Sequence, residues 1–216
     1  MKNNVRITGI LFLTALAASL AGGSIIESVL SKPDYLQNLP GQIRLLYAGT
    51  GLELLNSIAV IGIAIMLYPV IKKYREDIGI GYVSFRIIES LFCMINAVIP
   101  LLLITLAQGK TITGNTDFSA NTANANLLIS VRMTSAGLLV PVFFSLGALL
   151  LYYTLFRTLL VPRYISVWGL AAIVFLMILN LSGIRSPAAI LLALPIILNE
   201  IYLGIWLIVK GFNAAD

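Results

Sequence analysis

The chain has 216 residues, 59% hydrophobic and 11% charged, with a mean hydropathy of +0.99; soluble domains run at roughly 45–50% apolar and about 25% charged, so its solvent is a bilayer. Its formal charge of +5 is scattered over helix ends, with no basic cluster and no aromatic platform, which sets nucleic acid aside. A single cysteine, Cys93, and no histidine exclude an internal disulfide, imidazole-ligated metals and histidine-activated nucleophiles, leaving carboxylates as the proton carriers.

At about 20 residues per crossing the length accommodates six spans with short connections, all in one membrane domain, 1–216. Span one, about 7–28, follows Lys2 and Arg6 and reads as an uncleaved helix, because its apolar run exceeds a signal core. Ala15, Ser19 and Gly23 recur every fourth residue as a small face for close packing, and Glu27 is expected to be solvated at the outer end. Residues 31–44 read as a loop with a turn at Pro40-Gly41, and Tyr35 and Tyr47 as interface anchors.

Span two, about 45–71, carries Glu53 and Asn56 on one face and leads into Lys72, Lys73 and Arg75. That basic loop is cytoplasmic under the positive-inside rule, which also puts both termini, Arg157, Arg163 and Lys210 inside. Span three, about 81–107, places Arg86, Glu89, Cys93, Asn96 and Pro100 within roughly 80° of one another, a stripe that must face protein or water. The polar stretch TITGNTDFSANTANAN that follows reads as an extracytoplasmic loop. Span four, about 127–156, has Arg132 just inside its outer end and Pro141 as a kink. The corner RTLLVPRYISVWG turns into span five, about 164–181, and the short connection SGIRSP leads to span six, about 187–209, with Asn199 and Glu200 near its middle. Lys110 and Arg185 fall on outer connections.

Inside the spans, Glu53, Glu89 and Glu200 stand against Arg86 and Arg132. A charge at the bilayer centre costs about 2.5–3.5 kcal/mol, so each should be paired, neutralised or near water. Counted at 1.5 Å per residue, Glu89 and Glu200 lie at similar depth, about 13–15 Å from the inner end, where Arg86 is able to bridge them; Glu53 and Arg132 share the outer half. If instead Arg86 pairs with Glu89 and Arg132 with Glu53, Glu200 is left without a cation and becomes the candidate proton or cation site.

The segments GYVSFRIIES, VPRYISVWGLAA and NEIYLGIWLIVKGF resemble the recurring signatures of a bacterial membrane-protein family catalogued only as a domain of unknown function. The resemblance implies a six-span protein of the bacterial inner membrane and makes Arg86, Glu89, Asn199 and Glu200 part of the family's pattern, but it brings no activity.

The expected architecture is therefore all-α, with six transmembrane helices. The leading functional reading is a transporter-like bundle whose ligand site is formed by Glu53, Asn56, Arg86, Glu89, Asn96, Arg132, Asn199 and Glu200, coupled to protonation. Its ligand would be small and polar or anionic, or a proton; its surroundings are membrane lipids, a homo-oligomer is an open possibility, and no cofactor or metal is expected. The first alternative is an accessory protein whose polar seam only holds the helices together. A lipid-modifying enzyme with Glu89 and Glu200 as acid and base is a weaker alternative, since the aspartates lie in loops or tails.

Overall fold

The computed structural model describes residues 2–108, 118–182 and 189–213, and within them the side chains other than those of 2, 118–120 and 189–192. Apolar runs longer than a bilayer is thick become long helices, because only a helix satisfies every backbone polar group within lipid. They are α1 (Lys2–Leu30), α2 (Ile43–Tyr74), α3 (Glu76–Ala107), an interrupted α4 (Phe118–Thr134, Ser135–Leu139 and Val140–Thr158), α5 (Arg163–Leu181) and α6 (Ala189–Val209). The first five are long and apolar enough to cross a membrane, and α6 contributes a shorter apolar stretch, Ala193–Val209. No strand occurs among the described residues.

Each helix packs against the next in chain order, and α1 closes against α6, so the six form a ring. Glycine makes the closure possible. A Cβ on Gly9 would lie 2.5 Å from the Gly204 carbonyl oxygen of α6, and one on Gly22 2.9 Å from the Gly49 carbonyl oxygen of α2. The Ala15, Ser19 and Gly23 row is not the tight crossing: nothing approaches a Cβ on Gly23 within 4 Å, and Ala15 and Ser19 border a cavity. Ile10, Ile58, Ile65, Leu91, Ile95 and Ile178 are exposed on the outside of the ring, a surface suited to hydrocarbon rather than water.

The basic connections gather at one end, the end expected from the sequence to be cytoplasmic, where Lys72 pairs with Glu76 at 2.8 Å and Arg75 with Asp77. Acidic residues in the first turn of α3 and lysines in the last turn of α2 also suit the dipoles of those helix ends. The tail returns to the same end: the Asn213 backbone N–H and side-chain amide donate to the carbonyls of Leu160 and Leu159, each at 2.8 Å.

Two stretches expected as loops are ordered. Residues 31–44 contain a helical turn, Tyr35–Asn38, and a 3-10 turn, Leu39–Gln42, because Leu36 and Leu39 are buried under the outer core with Ile26, Leu46 and Leu103. In the polar stretch after span three, helix starts at Phe118, because Ala125 is fully buried in that same core and Tyr35 donates to the Asn126 side chain at 3.3 Å. Lys110, the first part of that stretch and Arg185 lie outside the described residues.

Candidate functional site

The α3 stripe turns inward: Arg86, Glu89, Cys93, Asn96 and Pro100 are all buried, as their spacing requires. Arg86 Nη1 donates to Glu89 Oε2 at 2.8 Å, an i,i+3 pair in which both side chains are about 5% exposed. Gly147 of α4 makes room for the arginine, since a Cβ there would lie 3.0 Å from Arg86 Cδ. The guanidinium also sits 5.6 Å from the Phe144 ring centre, and its Nε has no partner among the described residues.

A second ion pair lies nearer the outer face. Arg132 of α4 donates from both terminal nitrogens to the two Glu53 carboxylate oxygens of α2, at 2.9 and 2.5 Å, and from Nη1 to the Asn96 carbonyl oxygen of α3 at 2.5 Å. One guanidinium thus ties three helices together with bidentate geometry. The Asn96 side-chain oxygen remains without a partner among the described residues.

Glu200 differs from both. It has no ion pair or hydrogen bond among the described residues, and the two buried arginines are committed elsewhere. Its half-buried side chain opens onto a cavity of about 880 Å³ inside the helix ring. Asn56, Arg86, Glu89 and Cys93 share that wall, so α2, α3 and α6 supply the polar groups around Glu200. The adjacent Asn199 points elsewhere: its amide donates to the Ile165 carbonyl of α5 at 3.0 Å and ties α6 to α5. The eight expected site residues therefore divide. Asn56, Arg86, Glu89 and Glu200 border the cavity, Glu53, Asn96 and Arg132 make the outer cross-tie, and Asn199 makes a separate one.

The rest of the wall is mostly apolar side chains, which carry no chemical signal in the sequence. Phe12 and Leu16 of α1, Val60 and Ile63 of α2, and Leu176 and Leu179 of α5 line it. The i,i+3,i+4,i+7 spacing of Phe12, Ala15, Leu16 and Ser19 is the one trace of this wall in the sequence. On α4 the wall is the π-helical turn Ser135–Leu139 followed by Pro141, which has no N–H to donate. Such wide turns interrupt helices most often beside functional sites.

Toward the cytoplasmic end the cavity gives way to a packed core containing Tyr82, Tyr152, Ile71, Leu155 and Leu203. The Tyr82 and Tyr152 hydroxyls lie within electrostatic reach of Arg86 and Glu200, and neither has a hydrogen-bond partner among the described residues. In the other direction the lining reaches Glu27 and Asn180 near the outer ends of α1 and α5. No group of three or more metal-ligating side chains occurs among the described residues.

The chain belongs to the family described as Domain of unknown function (DUF4386), whose family model matches residues 7–211. Neither the curated proteins nor the solved structures provide a match.

Proposed function

We propose that this DUF4386 membrane protein is a transporter-like bundle of the bacterial inner membrane that holds a small ligand in its central cavity and couples binding to protonation of Glu200. One observation carries the reading: of the five wholly or partly buried charges inside the spans among the described residues, four are matched in two ion pairs, and the fifth, Glu200, has no ion pair and sits on a cavity wall. A carboxylate without an ion pair or hydrogen bond exchanges its charge for a proton or a ligand's charge at less structural cost than one held in a salt bridge, since it shares only longer-range electrostatics with Arg86 and Glu89. The cavity is of a size that accommodates a small molecule. Its packed cytoplasmic floor and its lining toward the outer helix ends correspond to an outward-facing arrangement, with the π turn and Pro141 of α4 as the irregular part of the wall.

The structural reading retains the outer part of the seam, where Arg132 binds α2, α3 and α4 together away from the cavity. The enzymatic reading fares less well, because Glu89 is held by Arg86 and is not a free acid or base.

The test is a thermal-shift screen of detergent-purified protein against small ligands at two pH values, with wild type beside Glu200→Gln. At least one ligand should raise the wild-type Tm in a pH-dependent way, and Glu200→Gln, still folded, should lose that response. An equal response in both proteins, or no response to any ligand, rejects the proposal.

A further inference from the structure

The charges on the cavity wall point to the class of ligand, given the reading that this cavity binds one. Three acids, Glu27, Glu89 and Glu200, border it against one base, Arg86, among the described residues. The Arg86 charge is already matched by Glu89 at 2.8 Å. An anion entering the cavity would therefore have to break a buried ion pair, and would meet Glu200 besides. A cation meets an unmatched carboxylate and breaks nothing. The rest of the lining is largely apolar, and Phe12 and Phe144 add aromatic rings, which favour a poorly hydrated onium over a small hydrated metal ion.

We propose that the cavity takes an amphiphilic cation, an amine or onium centre on an apolar body, with the positive charge at the Glu200 carboxylate and the body against Phe12, Leu16, Phe144 and Leu176. The cation and a proton compete for Glu200, so binding weakens as pH falls. The other titratable and charged groups around it are Arg86, Glu89, Tyr82 and Cys93 from α3, Tyr152 from α4 and, farther out, Glu27 from α1. Arg86 and Glu89 are paired with each other, so Glu200 is the carboxylate on this wall without an ion pair, and the part of the pH response assigned to it is the part lost in Glu200→Gln.

Tetraphenylphosphonium and tetraphenylborate share shape and size and differ in the sign of their charge. Calorimetric titration of the purified full-length chain in non-ionic detergent should show saturable binding of the phosphonium, weakening at least tenfold from pH 8 to pH 5 and at least tenfold in Glu200→Gln. The borate should show no binding that depends on Glu200. Phosphonium binding that is equal in both proteins overturns the inference. Glu200-dependent, pH-dependent binding of a neutral or anionic ligand, with none of the phosphonium, overturns this ligand class while leaving the proton-coupled site intact.

Discussion

Arg132→Gln is expected to destabilise the helix ring by about 3–5 kcal/mol, the usual loss when one member of a buried ion pair is removed. The guanidinium bonds both oxygens of Glu53 and the Asn96 carbonyl, with the two charged side chains only 12–13% exposed. Its removal strands a carboxylate between α2 and α4 and frees a backbone acceptor on α3. Glutamine is too short to restore the fork and carries no charge. The double variant Glu53→Gln with Arg132→Gln leaves no ion behind and should recover part of the loss, with a coupling of at least about 1 kcal/mol. Reversible denaturant unfolding in micelles of the four proteins of this cycle reads the coupling directly. Additive losses would mean that the two side chains act independently.

Gly169→Ala is expected to cost about 1–3 kcal/mol, as overpacking does in a close-packed interior. A Cβ at Gly169 would lie 2.4 Å from the Cδ1 and Cε1 atoms of the Tyr152 ring, and the ring is about 1% exposed with its neighbours tightly packed. The ring cannot swing aside without opening the core that closes the cavity on its cytoplasmic side. Tyr152→Phe keeps the ring and should not rescue Gly169→Ala, whereas Tyr152→Leu removes the clashing edge and should. Gly23→Ala serves as the control, because nothing lies within 4 Å of its added carbon, and its Tm should stay within a degree or two of wild type. A matching fall in Gly23→Ala would show that the loss is not specific to the Tyr152 contact.

Much of this architecture is legible in the residues because lipid leaves few choices. Apolar runs must be helices, basic connections must share a side, and the spacing of Arg86, Glu89, Cys93, Asn96 and Pro100 puts them on one inward face. The outer pair follows from the similar depth of Glu53 and Arg132, but depth alone leaves Arg86 able to bridge Glu89 and Glu200, and the packed structure pairs it with Glu89. Ring closure is harder to read, because it depends on which glycines meet. Gly9 faces Gly204 and Gly22 faces Gly49, while the regular row ending at Gly23 makes no tight crossing. Asn199 and Glu200 show the same limit. Adjacent on a helix, they point about 100° apart, and only the packing of α5 against α6 decides that the amide meets Ile165 while the carboxyl meets the cavity. The apolar wall from α1 and α5 carries no chemical mark, and the helix at Phe118 depends on tertiary burial of Ala125 rather than on local propensity.

The central claim is that Glu200, alone among the charges set inside the spans of the described residues, is held by no ion pair or hydrogen bond, and the melting temperature of ligand-free Glu200→Gln beside that of Arg132→Gln tests it most directly. Removing an unmatched acid from an apolar interior relieves desolvation and strands nothing. Glu200→Gln should therefore melt at or above the wild-type temperature while Arg132→Gln melts well below it. A fall in Glu200→Gln comparable to that of Arg132→Gln would show that Glu200 is part of the structural seam, and would contradict the account.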